Sequence, residues 1–212
     1  MSTDAQVHIV DCGSNNLASV VNAFRAAGAS PAIARTPEEV MAADRLVLPG
    51  VGSAAYAAAR LTSTGIGAAL TDRVRRQGRP MLAICVGMQV LAERLCEHAE
   101  GPGLGWIPGE ARPLRDLVAK SVRVPHMGWS TVTPAPGFAD SLGRVWGAPT
   151  YFFCHSYAVT TPAKDIIAAT VDLGCEVVAS VRFDSVLGTQ FHPERSHMNG
   201  LRLIESFLSW SP

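Results

Sequence analysis

Short apolar runs alternate with helical patterns over the first hundred residues, and this alternation limits the possible folds more than any other feature. VHIVDC (7–12), RLVLPG (45–50) and MLAIC (81–85) are apolar runs of strand length. After the first run, apolar residues recur at helical spacing from Leu17 to Phe24, and Gly28 is placed to end that helix. Alternating strands and helices predict a parallel sheet covered by helices on both faces.

The segment TPEEVMAA (36–43) carries a helix start signal. Thr36 can cap the first turn, Pro37 suits the first helical position, and acids follow it in the first turn. Apolar spacing predicts further helices over 53–60, 66–77 and 87–97.

The second half has a different pattern, in which short apolar segments recur between Pro and Gly turns. They predict strands over 121–124, 129–133, 150–154, 157–160, 166–171, 176–183 and 186–191. An amphipathic helix is expected over 201–210. We therefore expect an α/β fold in which a mixed, largely parallel central sheet is flanked by helices. The extra antiparallel strands lie in the C-terminal half, and residues 1–212 form one domain.

Composition excludes several classes of function. Lys plus Arg equals Asp plus Glu at 18 each, so no basic excess attracts nucleic acid. No apolar run reaches the length of a membrane span, and the N-terminus lacks a signal-peptide pattern, so we expect a cytoplasmic protein without membrane contact. The five cysteines include no CxxC pair, which favours reduced thiols. No metal-ligand motif is present, and no metal site is expected.

Cys85 stands at the end of an apolar strand, followed by a turn and a helical pattern. Such a strand-turn-helix corner is typical of a nucleophile elbow, in which a sharp turn projects the reactive side chain. Ala83 and Gly87 are small enough for the turn, and the N–H of Val86 would face a developing oxyanion. A buried Cys that only packs as a small hydrophobe remains the alternative.

The segment GTQFHPERS (188–196) offers a base for that thiol. In an extended chain, side chains two residues apart share a side, which would place Glu194 beside His192. A carboxylate there can orient the imidazole and stabilise its protonated form. A structural His with a solvated acid remains the alternative. His155 and His126 have no evident catalytic partner in the sequence.

Together these segments resemble the class-I glutamine amidotransferases, which have a flavodoxin-like fold and a Cys…His-x-Glu triad. AICVGMQ matches their nucleophile turn and TQFHPE their His-Glu turn. Within the family, the chain is most similar to the glutaminase subunits of imidazole glycerol phosphate synthases. Matching stretches lie in order along the chain, at 13–20, 48–53, 103–109, 124–129, 151–159 and 188–196. Ala83 departs from the glycine that is usual two residues before the nucleophile.

The resemblance implies that Cys85 is the nucleophile, His192 the general base and acid, and Glu194 the residue that orients it. It implies an oxyanion hole formed by backbone at Val86, Val51 and Gly52. It also implies that L-glutamine is bound by Gly52, Gln89, Ser156 and Tyr157. No cofactor is expected for this hydrolysis.

The resemblance also implies a partner, a cyclase subunit of the (β/α)8-barrel type that uses the released ammonia in histidine biosynthesis. The segment MGWS (127–130) is a candidate part of the interface, although it could equally be a hairpin packed on the core. Three alternatives stay open from the sequence. They are the glutaminase subunit of another amidotransferase, a stand-alone γ-glutamyl cysteine hydrolase, and a non-catalytic subunit.

Overall fold

The computed structural model describes residues 6–13, 17–97, 99–136 and 149–212. Its strands are β1 Val7–Val10, β2 Ala32–Ala34, β3 Arg45–Gly50, β4 Met81–Cys85, β5 Ala92–Glu97, β6 Ala99–Pro102, β7 Ile107–Pro113, β8 His126–Pro134, β9 Thr150–His155, β10 Tyr157–Thr160, β11 Ile167–Asp172, β12 Glu176–Phe183 and β13 Val186–Thr189. Its helices are α1 Leu17–Ala26, α2 Pro37–Ala42, α3 Ala54–Ser63, α4 Ile66–Leu70 with a π-helical continuation Thr71–Arg76, α5 Val86–Gln89 and α6 His197–Ser209. Part of the motif at 13–20, residues 14–16, lies outside the described residues.

A large mixed sheet forms the centre of the molecule, with the strand order β2-β1-β3-β4-β13-β12-β11-β8-β9 in the described part of the chain. From β2 to β13 the neighbouring strands are parallel, and from β13 to β9 they are antiparallel. The expected mixed sheet with antiparallel strands in the C-terminal half is therefore confirmed, and parallel and antiparallel pairings contribute equally to the described part of it. Strand β4, which carries Cys85, lies between β3 and β13 in the middle of this sheet.

Helices flank the sheet on both faces. The chain steps from β1 outward to β2 and then returns across to β3 and β4. Because parallel crossovers are right-handed, this reversal places α1 on one face and α2, α3 and α4 on the other. Helix α6 joins α1, and the rings of Phe24 and Phe207 meet edge to face at 6.2 Å. Burial on both faces explains why strands β3 and β4 are continuous apolar runs.

The predicted N-terminus of α2 is confirmed. Thr36 accepts a hydrogen bond from the backbone N–H of Glu39, and the Glu39 carboxylate accepts one from the backbone N–H of Thr36. This reciprocal capping box satisfies two backbone donors that the helix itself leaves unpaired. At the other end of the chain, α6 begins four residues before the predicted 201.

The helix predicted over 87–97 is wrong. Only Val86–Gln89 is helical, and Ala92–Glu97 forms strand β5 of a second sheet, ordered β10-β7-β5-β6. The apolar residues of this segment are buried as their spacing requires, but β5 pairs with β7 instead of completing a helix. A short apolar segment can satisfy either period, and here the strand pairing decided. Strand β7 itself was not predicted.

The strand predicted over 121–124 is also wrong, since these residues form turns before β8. The remaining predicted strands of the C-terminal half are present with shifts of a few residues at their ends. Among the described helices, none is long and apolar enough to cross a membrane.

Candidate active site

Cys85 occupies the tip of a tight turn between β4 and α5. Its backbone has φ 53° and ψ −108°, a conformation that non-glycine residues rarely adopt and that stores strain. Gly87 makes the turn possible, because a side chain there would collide with the carbonyl oxygen of Leu48. At Gly50, a β-carbon would lie 2.8 Å from Cβ of Val86. The end of β3 therefore packs closely against the start of α5, next to Cys85, as in a nucleophile elbow.

Helix α5 is a single turn, because the chain leaves the helix after Gln89. A long helix dipole is therefore absent behind the thiol. What remains is the set of first-turn backbone N–H groups, which have no partner within their own helix. The N–H of Val86 belongs to this set, so the expectation of an oxyanion donor at this residue does not depend on the length of the helix.

Backbone contacts with strand β9 hold His192 in place. Its N–H donates to the carbonyl of Phe152 at 2.9 Å. Its own carbonyl accepts from Oγ of Ser196 at 2.6 Å, and Ser196 Oγ in turn accepts from the Phe152 N–H at 2.9 Å. These three hydrogen bonds connect the segment after β13 to strand β9, and so they fix the backbone position from which the His192 side chain projects.

His192 and Glu194 are paired and buried. The two atoms Nδ1 and Oε1 lie 2.8 Å apart, and the side chains are 3% and 1% exposed. Pro193–Arg195 forms a 3-10 turn, so the pair is not the extended arrangement expected from the sequence. The turn brings the carboxylate to Nδ1 at the edge of the ring instead. Because Nδ1 is occupied by Glu194, Nε2 is the nitrogen left to face the thiol.

The environment of His192 favours its protonated form. Burial works against the charge, but Cys85 and the Glu194 carboxylate outweigh it and raise the pKa of His192 to about 10. The interaction of the imidazole with Cys85 is the largest of the effects that raise this pKa. It is the electrostatic arrangement expected of an imidazole that is oriented by a carboxylate and faces a cysteine.

These residues open onto one cavity of about 370 Å³, a size suited to a small-molecule ligand. All the site residues expected from the sequence line it except Glu194, which lies behind His192. They are Val51, Gly52, Cys85, Val86, Gln89, Ser156, Tyr157 and His192. The loop after β3 contributes Gly52, whose φ of 89° lies in the left-handed region that favours glycine.

Gln190 is a site residue that the sequence analysis missed. It is fully buried, and its Nε2 lies 3.5 Å from Sγ of Cys85. Its Oε1 accepts from Nε2 of Gln89 at 3.1 Å, and the same Gln89 nitrogen donates to the carbonyl of Tyr157 at 2.9 Å. Gln190 stands inside the TQFHPE motif, two residues before His192, and this position was the available signal.

His155 and His126 form a second missed contact. His155 lines the cavity, and its Nε2 lies 2.9 Å from Nδ1 of His126. The two residues face each other across strands β8 and β9. Among the described residues, no group of three or more His, Cys, Asp or Glu could hold a metal ion.

Comparisons with known proteins give matches over nearly the whole chain. The family model "Glutamine amidotransferase class-I" matches residues 8–209. The chain is 40% identical over 210 residues to "Imidazole glycerol phosphate synthase subunit HisH" of Zymomonas mobilis, covering 97% of this chain and 96% of the relative. The protein of the same name from Brucella abortus is 41% identical over 219 residues, covering 98% and 100%.

Solved structures share the fold at low sequence identity. "Crystal structure of glutamine amidotransferase" superposes with a TM-score of 0.74 at 19% identity, covering 95% of this chain and 96% of that one. "Trypanosoma brucei CTPS - glutaminase domain with bound acivicin" gives 0.69 at 17% identity, covering 97% and 92%. With a family model that spans nearly the whole chain and relatives at about 40% identity over their full length, this chain belongs to the class-I glutamine amidotransferases.

Proposed function

We propose that this chain is the glutaminase subunit of an imidazole glycerol phosphate synthase. It hydrolyses L-glutamine to glutamate and ammonia and delivers the ammonia to a separate cyclase subunit of the (β/α)8-barrel type. The observation that carries the proposal is the meeting of Cys85 and His192 at one cavity, with Glu194 paired to His192 behind it. The choice of synthase follows from the relatives, which carry that name at about 40% identity over nearly their whole length.

The first half of the reaction transfers the glutamyl group to the enzyme. The Cys85 thiolate attacks the side-chain amide carbon of glutamine, and a tetrahedral intermediate forms. Protonated His192 gives its proton to the amide nitrogen, the carbon–nitrogen bond breaks, and ammonia leaves. A glutamyl thioester remains on Cys85. The raised pKa of His192 supports this step, because the ring holds its proton until the leaving group takes it.

The second half releases glutamate. Neutral His192 takes a proton from water, the resulting hydroxide attacks the thioester, and the carbon–sulfur bond breaks. Cys85 returns as a thiolate and His192 returns protonated. Glu194 stabilises the imidazolium in both halves from its position at Nδ1, and it keeps Nε2 directed toward the reacting atoms.

Negative charge on the amide oxygen needs donors in both halves. We assign one to the N–H of Val86 on the first turn of α5, and one to the loop backbone at Val51 and Gly52. Loss of one such donor typically raises a barrier by about 3–4 kcal/mol. The loop is exposed and includes a left-handed glycine, so a docked partner could set its peptide orientation and with it the rate.

Gln89, Gly52, Ser156 and Tyr157 hold the substrate in this proposal. The Gln89 side chain uses its nitrogen to donate to the Tyr157 carbonyl and to Gln190. Its amide oxygen is the group that accepts a hydrogen bond from the substrate. Gly52, Ser156 and Tyr157 offer backbone groups around the same cavity. Together they can bind the amino-acid end of glutamine while its amide reaches Cys85.

Strand β8 offers a surface for the partner. Met127 and Trp129 are 63% and 46% exposed on one side of it, which is unusual for large apolar residues. Trp129 stacks on His197 with ring centroids 4.9 Å apart, so the side chain is held in place before any partner arrives. We assign these two residues to the interface with the cyclase.

The decisive experiment uses the complex with the cyclase. Cys85→Ala should abolish synthesis with glutamine as nitrogen donor while synthesis with added ammonium salts survives. Cys154→Ala is the matched control, because this second thiol lines the same cavity and has no role in the proposed chemistry. It should retain both activities.

Other outcomes would contradict the proposal. High glutaminase activity of the isolated chain, unchanged by the cyclase, would favour a stand-alone γ-glutamyl hydrolase. Activation by another synthase and not by this cyclase would place the chain in a different amidotransferase. An unreactive Cys85 toward glutamine-analogue electrophiles in the full complex would favour a non-catalytic subunit.

A further inference from the structure

Strand β8 has two different faces. Side chains alternate along a strand, so Met127 and Trp129 point to solvent while His126 and Ser130 lie half-buried on the opposite side. A single strand thus carries an exposed apolar surface on one face and hydrogen-bonding groups on the other. Because all four residues belong to one strand, a movement of Met127 and Trp129 also moves His126 and Ser130.

The inner groups form an ordered line of hydrogen bonds toward the cavity. Nδ1 of His155 lies 2.9 Å from the carbonyl oxygen of Tyr157, which can only accept, so this nitrogen carries the proton. Nε2 of neutral His155 then accepts from Nδ1 of His126 at 2.9 Å. Nε2 of His126 accepts in turn from Oγ of Ser130 at 2.9 Å. Each proton position follows from the one before it.

The line continues to the nucleophile. The carbonyl of Tyr157 also accepts from Nε2 of Gln89, and the same nitrogen donates to Oε1 of Gln190. Nε2 of Gln190 lies 3.5 Å from Sγ of Cys85. An unbroken series of contacts therefore links β8 to the reacting sulfur, through Ser130, His126, His155, Tyr157, Gln89, Gln190 and Cys85.

We propose that His126 and His155 are positioning residues, which hold the side-chain amides of Gln89 and Gln190 in place at the cavity. Through them, the position of strand β8 determines how these two amides are oriented. The proposal rests on the function proposed above, because Gln89 acts on glutamine and β8 carries the partner surface. Neither histidine touches the reacting atoms. Both act through the Tyr157 carbonyl, which holds the Gln89 nitrogen and leaves the Gln89 oxygen for substrate.

The electrostatics of the pair agree with this arrangement. Burial lowers the pKa of His126, and burial lowers that of His155 to about 4, with the neighbouring His126 and His192 adding to the effect. Both rings are therefore neutral near pH 7. A proton on Nε2 of His155 would face the N–H of His126, and the hydrogen bond between the two rings would be lost.

Two substitutions at one position separate the two links of His155. His155→Asn places an amide near the former Nδ1, so it can keep the bond to the Tyr157 carbonyl but cannot reach His126. His155→Gln places its amide near the former Nε2, so it can keep the bond to His126 but not the one to Tyr157.

Ser130→Ala removes the hydroxyl that donates to His126 at the β8 end of the series. Ser130→Asn retains an N–H donor at that position and serves as the matched control.

The test measures steady-state glutaminase kinetics of each variant, alone and with the cyclase and its nucleotide ligand. We expect His155→Gln to raise the KM for glutamine by about fivefold, the effect of one hydrogen bond, with a smaller change in kcat. We expect His155→Asn and Ser130→Ala to raise KM by less than His155→Gln does, while the stimulation by the cyclase falls by about fivefold. Ser130→Asn should restore that stimulation.

Nitrogen-15 spectra of the histidine rings supply a readout that needs no turnover. At pH 7 both His126 and His155 should be neutral and protonated on Nδ1. A charged ring or an Nε2-protonated His155 would overturn the proposal, whatever the kinetics. Equal losses in both His155 variants, or none in either, would also overturn it while leaving the proposed function intact. Failure of the unsubstituted complex to hydrolyse glutamine would refute the proposed function instead, and the spectra would still decide the hydrogen-bond line.

Discussion

Nδ1 of His192 lies 2.8 Å from Oε1 of Glu194, and the two side chains are almost completely shielded from water. A buried carboxylate this close to an imidazole is stabilised when Nδ1–H of the ring donates a hydrogen bond to it, and its negative charge favours the protonated form of the ring. This contact therefore sets the tautomer of His192 and the direction of its reactive nitrogen, and together with Cys85 it raises the pKa of the ring.

Replacement of Glu194 by Gln should preserve the shape of the site and remove its charge. We expect kcat for glutamine hydrolysis in the complex to fall by about 10²–10⁴-fold, the range that general acid–base catalysis contributes. Glu205→Gln is the control, because Glu205 is exposed on α6 and belongs to no part of the site. An unchanged kcat in Glu194→Gln would refute the orienting role.

The raised pKa of His192 predicts how stability depends on pH. The folded chain binds this proton up to about pH 10, whereas an ordinary His releases it near 6.5. The contribution of His192 to the free energy of unfolding is therefore fully present below pH 6.5 and is lost as the pH rises toward 10. Denaturant unfolding of the chain and of His192→Gln should show their difference shrinking over this window. A constant difference would contradict the prediction.

His155 predicts the opposite dependence on the acid side. Its pKa is lowered to about 4, first by burial, so the unfolded chain takes up this proton before the folded chain does. Stability from neutral His155 is present above pH 6.5 and is lost as the pH falls through 4. Between these values, the free energy of unfolding should decline more steeply with decreasing pH for the unsubstituted chain than for His155→Asn. Parallel curves would show that His155 is not held neutral.

Gly87→Ala tests the packing of the elbow. The added methyl would collide with the carbonyl of Leu48, a backbone atom of the central sheet that cannot move aside. We expect a loss of about 1–3 kcal/mol in the free energy of unfolding, together with loss of Cys85 alkylation by glutamine analogues. Gly101→Ala is the control, since nothing lies near its β-carbon position, and its effect should stay within about 0.5 kcal/mol.

Trp129→Ala tests the proposed partner surface. A large, pre-positioned aromatic at the centre of an interface typically contributes strongly, so the dissociation constant for the cyclase should rise by about tenfold or more. Thr131→Ala, on the same exposed face of β8, should change it by less than about twofold. Thermal unfolding of both variants checks that Trp129 is not simply needed for the fold, because it also packs on Phe152 and His197. Unchanged affinity in Trp129→Ala would remove the residue from the interface.

Sequence patterns predicted the structure well where the residues of a single short segment decide it. The capping box at Thr36, the apolar strands β3 and β4 and the turn at Cys85 each depend on residues a few positions apart. The site residues around Cys85 and His192 were predicted because both lie in distinctive short motifs at the ends of adjacent sheet strands. Gln190 escaped notice within one of those motifs, since nothing local shows which way its amide points.

Signals failed where strand pairing decided the structure. The segment after Gln89 has apolar spacing that suits a helix, but β7 offers it a parallel partner, and the chain forms β5. His126 has no partner nearby in sequence, and its contact with His155 exists only because β8 and β9 pair in register.

The sequence by itself determined the α/β alternation, the elbow at Cys85 and the pairing of Glu194 with His192, because these follow from the backbone preferences and side-chain chemistry of neighbouring residues. Only the tertiary structure decided that the pKa of His192 is raised, that Gln190 contacts the thiol and that β8 is linked to the cavity. Burial and the approach of charges from distant segments set a pKa and choose a hydrogen-bond partner, and neither quantity exists before the strands are assembled.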